Sequence, residues 1–416
     1  MYSMKVLMIA PYITLSSRPE LNRNQSGFGY MVYDIANAVG KMEKVDVLCT
    51  DSRGEKFEDD GVTYINRSYP KFLKYIWFSL PLMNIVKLFL KYKIQKRSMI
   101  KLVYYWLMTG YLSQILKQRE YDIVHIHGCH FGTELWINVC KKYHLKYVVT
   151  LHGLNSFSDT VKIEPAGKRY ERDFLQRAVH DEFPITVIST GMKKLIEKTY
   201  QEDECKNITV VCNSFSLKDG RKSIDIRALY SIPKDAKIIL YIGNIGPRKN
   251  QGQLIMSFSL MPDNIAKNAY FLFLGSNQDD NYTIDGFAKA SGYKDHFIEC
   301  GAINKEDVPE YYKQGDAVAL MSLSEGFGLS LIEGMHYGLP CISFNDIDAF
   351  EDIYDENVMI GVEQHDDSSV AAGLVELLSR EWNRDYILNY SKKFEAHKMA
   401  ERYVKVYERI VYDKTM

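Results

Sequence analysis

DAVALMSLSEGFGLSLIEGMHYGLPCISF, from Asp316 to Phe344, is the segment that specifies the type of fold most clearly. Its first residues predict a buried strand ending near Leu323, followed by a loop that contains two glycines. A helix is expected to begin at about Leu329, and a second strand follows Gly338–Pro340. A strand, a crossover helix and a second strand form the repeating unit of a parallel sheet.

The same alternation of short apolar runs and helical patterns extends in two series along the chain. The first contains KVLMIAPYI, YDIVHIHG and KYVVTLHG, and the second contains KIILYIGNIG, YFLFLGS and DAVALMSL. Because 416 residues are too many for one compact core, we predict two Rossmann-like α/β domains, over residues 1–213 and 214–395. Residues from about Asn383 to Val411 predict a helix, which by itself would complete the second domain.

Composition narrows the class of protein. The formal net charge is −1, which gives no reason to expect a nucleic-acid partner. Seven scattered cysteines without CxxC spacing argue against a disulfide framework and against a zinc site, and they fit a reducing cytoplasm. The start, MYSMKVLMIAPYI, is interpreted as the first strand, because its apolar run is too short for a signal peptide.

Two glutamates lie at the glycine loop of the segment from Asp316 to Phe344. Glu325 lies on the loop and Glu333 about one turn into the helix, so both carboxylates can face one pocket. Gly326 and Gly328 allow close approach of a ligand to the backbone, and the helix start offers N–H groups to phosphate. We infer that one glutamate accepts hydrogen bonds from a hexose and the other from a ribose. Alternatively, both are solvated residues at a helix start.

This segment resembles the Glu-x7-Glu motif of the retaining family 4 glycosyltransferases, which have the GT-B fold of two Rossmann-like domains facing each other across a cleft. The resemblance implies that Glu325 contacts the donor sugar and Glu333 the nucleotide ribose. It also implies that the backbone at Phe327, Gly328 and Leu329 contacts donor sugar and phosphate. It further implies that the helix ending the chain, over 396–416, returns to the N-terminal domain.

A second landmark is YIGNIGPRKNQGQLI, a strand followed by a glycine loop and a helix. Arg248 and Lys249 can neutralise a pyrophosphate, and Lys249 resembles the family lysine with that role. The alternative is an exposed basic pair at a turn. Asn244 is a departure, because many family members have arginine at this position, and asparagine can bind phosphate only by hydrogen bonds.

The third landmark is SGFGYMVYDIANAV, from Ser26 to Val39, which resembles the N-terminal glycine loop of the family. In the family this loop lies near the donor phosphates and the acceptor, and Gly27 and Gly29 are the corresponding positions. A loop followed by a glycine-assisted helix start explains the same residues.

Histidines form the fourth landmark. His152 resembles the family histidine that approaches the donor sugar. His125 and His127, with nearby Cys129 and His130, suggest a metal site, but their strand geometry spreads the side chains. We therefore predict no metal, with His125 packed and His127 lining the cleft.

The resemblance implies a retaining transfer of a hexose from a nucleotide-diphosphate sugar, UDP-sugar being favoured, to a saccharide or lipid-linked acceptor in surface polysaccharide synthesis. His152, Lys249 and Glu325 are the expected catalytic residues. No cofactor and no metal are required, because basic side chains and helix starts carry the pyrophosphate charge. A sugar-nucleotide epimerase of the same fold and a non-catalytic sugar- or membrane-binding homologue are the alternatives.

Residues 70–119 combine aromatic and aliphatic side chains with lysines and contain no Asp or Glu. Lysines interrupt the apolar run, so a transmembrane helix is not expected. Two interpretations fit equally: helices lying on an anionic membrane surface, or an insertion whose aromatic face packs on the N-terminal domain. The first would place a cytoplasmic protein on the inner face of the cell membrane.

Overall fold

The computed structural model describes residues 3–15, 17–18, 21–22, 26–49, 56–66, 69–118, 120–158, 163–180, 183–201, 205–216 and 223–412. They form two compact units. The N-terminal unit comprises Met1–Ile188, Met192–Cys212 and Ala396–Met416, and the C-terminal unit comprises Ser189–Gly191 and Asn213–Glu395. Each unit is an α/β domain built on a parallel sheet, as the alternation of apolar runs predicts.

The N-terminal unit contains a sheet of eight strands in its described part. They are β1 (Lys5–Ile9), β2 (Lys44–Cys49), β3 (Lys56–Asp59), β4 (Val62–Asn66), β5 (Ile123–His127), β6 (Lys146–Leu151), β7 (Ile185–Val187) and β8 (Ile208–Val210). Their order is β3-β4-β2-β1-β5-β6-β7-β8. Only the β3–β4 pair among them is antiparallel.

The helices of this part of the chain are α1 (Gly27–Gly40), α2 (Tyr69–Phe72), α3 (Met83–Tyr92), α4 (Lys96–Gln118), α5 (Phe131–Lys142), α6 (Pro165–His180) and α7 (Thr190–Tyr200). Short 3-10 helices span Leu73–Phe78 and Asn155–Phe157. Within the described ranges, no helix has the length and apolar character needed to cross a bilayer.

In its described part, the C-terminal unit contains six parallel strands: β9 (Lys237–Ile242), β10 (Ala269–Leu274), β11 (Phe297–Gly301), β12 (Ala317–Leu320), β13 (Cys341–Phe344) and β14 (Met359–Val362). Their order, β11-β10-β9-β12-β13-β14, reverses direction between β9 and β12. Ligands of open α/β sheets bind outside the carboxyl ends of the strands at such a point. The loops after β9 and β12 therefore bound the expected binding crevice.

The helices of the C-terminal unit are α8 (Ile226–Tyr230), α9 (Gln251–Phe258), α10 (Asp263–Ala266), α11 (Ile284–Ser291), α12 (Val308–Gln314), α13 (Leu329–His336), α14 (Phe350–Ile353), α15 (Asp367–Ser379) and α16 (Arg384–Ser391). Short 3-10 helices span Lys294–His296 and Lys392–Phe394. The core lies on both faces of the sheet, since strand residues such as Ile239, Leu240 and Val318 are fully buried.

Two sequence-based boundaries are wrong. The strand expected to end near Leu323 ends at Leu320, because the amides that follow leave the sheet ladder: Met321 N–H donates to the Tyr241 hydroxyl and Leu323 N–H to the Arg248 carbonyl. The single helix expected from Asn383 to Val411 is two. It is interrupted at Glu395, which is extended and forms a bridge with Phe215.

The final helix, α17 (Ala396–Tyr412), belongs to the N-terminal unit and packs on α1. Its aromatic face is buried, with Tyr403 and Tyr407 inaccessible to solvent. The Tyr407 hydroxyl lies 2.7 Å from Nδ1 of His125 on β5.

Candidate active site

An ion pair joins the two loops at the switch point of the C-terminal sheet. Lys249, after β9, donates from Nζ to Glu325 Oε2, after β12, at 2.5 Å. Their side chains are 14% and 18% exposed, so water screens the pair only partly. Burial alone would raise the pKa of the Glu325 carboxyl, but Lys249, with help from Arg248, holds that pKa below its ordinary value. Glu325 is therefore ionised at neutral pH.

Backbone and buried tyrosine contacts fix both loops. Arg248 donates from Nη1 to the Ser324 carbonyl at 2.9 Å, and its own carbonyl accepts from Leu323 N–H at 2.9 Å. The hydroxyl of Tyr241, fully buried on β9, donates to the Lys249 carbonyl and accepts from Met321 N–H. Tyr241 thus ties the lysine loop to the glutamate loop. The sequence analysis did not predict this role of Tyr241. The only indication in the sequence is that Tyr241 is the one polar side chain among the aliphatic residues that follow Lys237 in KIILYI.

Asn244 is exposed on the β9 loop, and its carbonyl accepts from the buried Gln251 side chain at 3.0 Å. Its side-chain oxygen accepts from Ser276 Oγ at 3.3 Å. Arg248 is exposed as well. Asn244 and Arg248 thus lie on the same loop as Lys249, with their side chains exposed.

The glycine loop leads directly into α13. Gly328 has a φ of 84°, in the left-handed region that glycine tolerates best, and it is the N-cap residue. Since glycine has no side chain to cap a helix, the first N–H groups of α13, beginning with the half-buried Leu329, face the loop. Phe327 is 2% exposed and packs edge-to-face on Phe394. Its ring belongs to the core, and only its backbone remains for a ligand.

Glu333 lies on α13, half-buried, and accepts a hydrogen bond from the buried Tyr312 hydroxyl at 2.8 Å. Tyr312 also contacts the Ser330 carbonyl at 3.3 Å. The hydrogen bond from Tyr312 fixes the orientation of the Glu333 carboxylate. Burial is the main cause of the raised pKa of Tyr312, and the nearby charge of Glu333 raises that pKa further.

A third carboxyl, missed in the sequence, lies beside Glu325. Asp348 follows β13, and its N–H donates to the Glu325 carbonyl at 3.3 Å. Burial, followed by the negative charges of Glu325 and Asp346, raises the pKa of Asp348 to about 6. The available signal was its place just after a strand, at the same sheet edge as the predicted site.

In the N-terminal unit, the two predicted glycines have different surroundings. Gly29 N–H donates to the Ser26 side chain at 3.1 Å at the start of α1. A Cβ on Gly29 would lie 2.2 Å from Thr14 Oγ1, so packing on the loop after β1 demands glycine. Around Gly27 there is open space. Only Gly29 is therefore explained by internal packing.

Two histidines, His127 and His152, lie at the carboxyl ends of β5 and β6. His152 Nε2 lies 3.1 Å from His127 Nδ1, and the ring of Phe28 contacts His152 edge-to-face. Burial lowers the pKa of His152 to about 4 and that of His127 well below its ordinary value, so both are neutral at pH 7. His127 is completely buried. The prediction that His127 lines the cleft is therefore wrong, because its side chain has no exposed surface.

The Nδ1 atoms of the three histidines considered for a metal, His125, His127 and His130, have other partners. His125 contacts Thr150 and Tyr407, and His130 Nδ1 accepts from Gly132 N–H at the start of α5. Among the described residues no group of three His, Cys, Asp or Glu side chains is arranged to hold a metal ion.

Two family models match the chain, one over its C-terminal part and one over its N-terminal part. Residues 223–394 match the model of glycosyl transferases group 1, and residues 26–218 match glycosyltransferase family 4. An uncharacterized glycosyltransferase of Methanocaldococcus jannaschii is 24% identical over 67% of this chain and 72% of its own length. The UDP-Gal:alpha-D-GlcNAc-diphosphoundecaprenol alpha-1,3-galactosyltransferase of Escherichia coli is 24% identical over 56% and 60%.

Among solved structures, sucrose-phosphate synthase from Thermosynechococcus elongatus superposes with a TM-score of 0.70 at 16% identity, covering 98% of both chains. The fold is thus that of the two-domain GT-B enzymes. The chain belongs to the group 1, family 4 glycosyltransferases. The enzyme class and the family resemblance inferred from the glutamate motif are confirmed.

Proposed function

We propose that the chain is a retaining hexosyltransferase that takes a hexose from a UDP-sugar and transfers it to a saccharide or lipid-linked acceptor in surface polysaccharide synthesis. The observation that carries the proposal is the Lys249–Glu325 pair at the sheet's switch point. The Escherichia coli relative supports the donor and acceptor classes, because its name gives UDP-Gal and a diphosphoundecaprenol-linked saccharide.

In this proposal the C-terminal unit binds the donor. Glu325, kept ionised by Lys249, accepts hydrogen bonds from hydroxyls of the hexose, and Glu333 accepts them from the ribose. Asn244 and the backbone of Phe327, Gly328 and Leu329 contact sugar and phosphate.

The leaving group is a diphosphate on which negative charge grows as the glycosidic bond breaks. Lys249, the exposed Arg248 and the first N–H groups of α13 supply positive charge at that point. These groups support catalysis without a metal or another cofactor. We propose front-face attack, in which the departing phosphate oxygen accepts the acceptor's proton and the anomeric configuration is retained.

The N-terminal unit serves the acceptor side in this proposal. Gly27 and Gly29 shape a loop at the start of α1. His152 positions the donor sugar as a neutral imidazole, since burial lowers its pKa to about 4. We place the reaction in the cytoplasm, at the inner face of the cell membrane.

A panel of nucleotide sugars, incubated with and without saccharide acceptors, tests the proposal by nucleotide release. Acceptor-dependent release of UDP and an unchanged anomeric configuration by NMR are expected. Sugar conversion without an acceptor would identify an epimerase, and binding without release a non-catalytic homologue. Lys249→Ala should reduce turnover by roughly 100-fold or more, whereas Lys267→Ala, at an exposed ion pair of the same unit, should leave it unchanged.

A further inference from the structure

The segment from Leu73 to Leu90 presents apolar side chains to solvent. Nine of the seventeen exposed large hydrophobic side chains in the described chain lie in it, so exposure is concentrated here. Trp77 is 90% exposed, Leu90 67%, Leu82 59% and Met83 57%. Contiguous exposure of this kind marks an interaction surface, whereas isolated apolar residues do not.

Helix α3 within this segment has two apolar faces. Ile85, Leu88 and Tyr92 are buried against the N-terminal unit. Met83, Val86 and Leu90, spaced three and four residues apart on another face, are exposed. One face therefore anchors the helix, and packing on the domain leaves the other face uncovered.

The exposed segment is held firmly in place. Leu80, between the 3-10 helix and α3, is buried; its N–H donates to Thr109 Oγ1 at 3.1 Å, and its carbonyl accepts from Trp106 Nε1 at 2.6 Å. The middle of α4, including Trp106 and Leu112, is buried. Of residues 70–119, α4 therefore packs on the domain, while Leu73–Leu90 faces outward.

Charge decides what covers this surface. Lys74 and Lys87 are exposed among the apolar side chains, whereas Lys91 forms an ion pair with Asp173 at 2.9 Å. Residues 61–119 contain eleven Lys or Arg and no Asp or Glu. A symmetric contact with a second copy would place lysines opposite lysines, and protein interfaces are depleted in lysine. Anionic lipid supplies the missing negative charge, and lysines can extend from apolar surroundings to it.

We propose that the Leu73–Leu90 segment docks the chain on an anionic lipid surface, with Trp77, Met83 and Leu90 at the acyl boundary and Lys74 and Lys87 among the lipid phosphates. The ten-residue α3 is about 15 Å long, so it lies in the interface and does not cross the bilayer. The inference deepens the proposed membrane location and does not depend on the transfer chemistry.

Co-sedimentation of the full chain with vesicles of phosphatidylcholine alone, or with about 30% phosphatidylglycerol, tests the charge requirement. Binding is expected only to the anionic vesicles. Lys74→Gln/Lys87→Gln should lower the partition coefficient on the order of 30-fold, from about 1 kcal/mol per lysine. Lys41→Gln/Lys234→Gln, at two other exposed lysines, should leave it unchanged.

The apolar requirement is tested by Trp77→Ser/Leu90→Ser, which should weaken binding roughly 10- to 100-fold. Leu229→Ser/Leu260→Ser is the matched control, because both leucines are 58% exposed in the C-terminal unit. Far-UV circular dichroism establishes that each variant is folded. Should the serine variant unfold, the glutamine variants and the fluorescence measurement still decide the question.

Tryptophan fluorescence gives an independent readout. Anionic vesicles should shift the emission of the wild-type protein to the blue, and Trp77→Phe should bind equally well without that shift. Equal binding of all variants, or none by the wild type, overturns the proposal. So does a wild-type dimer in analytical ultracentrifugation that Trp77→Ser/Leu90→Ser converts to monomer. Vesicle binding is measured without donor or acceptor, so its failure is distinct from a failure of sugar transfer.

Discussion

The pairing of Lys249 with Glu325 predicts a measurable energetic coupling in the ligand-free protein. The two atoms lie 2.5 Å apart, and both side chains are less than one-fifth exposed. Lys249→Met removes the ammonium while preserving much of the stem, and Glu325→Gln removes the carboxylate charge with little change in size. The two single variants and the double variant complete a double-mutant cycle.

The size of the Lys249–Glu325 coupling energy depends on two opposing contributions, Coulomb attraction and loss of hydration. Two unit charges at this separation attract by on the order of 6 kcal/mol at an effective dielectric constant of about 20. Loss of hydration at both ends cancels most of this attraction. We therefore expect each single substitution to cost about 2–3 kcal/mol, since it leaves the other group desolvated without its partner. The coupling energy should be about 1–3 kcal/mol.

Hydrogen exchange measured by mass spectrometry suits a chain of two units, because peptides covering β9 and β12 report the free energy of opening in the C-terminal unit alone. The coupling should be present at pH 7. It should vanish on acidification, since the lowered pKa of Glu325 gives stability that exists above its unfolded value of about 4.3 and is lost as the carboxylate is protonated.

The exposed pair Lys267–Asp263, 2.8 Å apart in the same unit, provides the control. The cycle of Lys267→Met with Asp263→Asn should show no resolvable coupling, because water screens this pair. Additive effects of Lys249→Met and Glu325→Gln, within about 0.5 kcal/mol, would mean that the two side chains do not pair in solution. The site geometry described above would then be wrong.

Three further outcomes are expected. Glu333→Gln should weaken UDP binding about tenfold or more in isothermal titration calorimetry, because a charged acceptor contributes about 1.5–3 kcal/mol; an unchanged Kd would remove Glu333 from the site. Asp348→Asn should raise the melting temperature relative to wild type more at pH 8 than at pH 5. Its pKa of about 6 means that ionisation destabilises the fold as pH rises from about 4 to about 6, by on the order of 2–3 kcal/mol over that whole window, about half of it above pH 5; equal shifts at both pH values would contradict this. Gly328→Ala should lower the melting temperature, since alanine at a φ of 84° costs about 1–2 kcal/mol; an unchanged value would refute the strain.

Much of the fold was readable because parallel strands buried on both faces appear as continuous apolar runs. KIILYI became β9 for this reason. The features that the sequence analysis did not predict are local ones, a break in a helix and a hairpin. The break at Glu395 lies inside an unbroken helical periodicity and depends on a long-range bridge to Phe215. The β3–β4 hairpin was overlooked although Asp60-Gly61, both at positive φ, is a typical hairpin turn.

For the site, spacing placed Glu325 and Glu333 on a loop and the helix after it, and the order of strands brought Lys249 to Glu325. Sequence reasoning missed Tyr241 and Asp348. Their importance comes from what lies opposite them in space, a backbone carbonyl in one case and a like charge in the other. Single-chain patterns do not encode such neighbours.

The main role of the Lys249–Glu325 pair is to hold the two side chains in position for a ligand, and its contribution to the stability of the fold is secondary. Replacing a buried ion pair by apolar side chains of similar size is often neutral or stabilising, so stability alone would not select the pair. Tyr241 nevertheless fixes the lysine loop against the glutamate loop before any ligand binds. A lysine held in place beside an ionised carboxylate needs little reorganisation when a diphosphate develops charge, which is the electrostatic preorganisation that favours a transition state. Thus the Lys249→Met/Glu325→Gln double variant should lose less stability than the two single substitutions added together, yet its activity should fall far below that of the wild type.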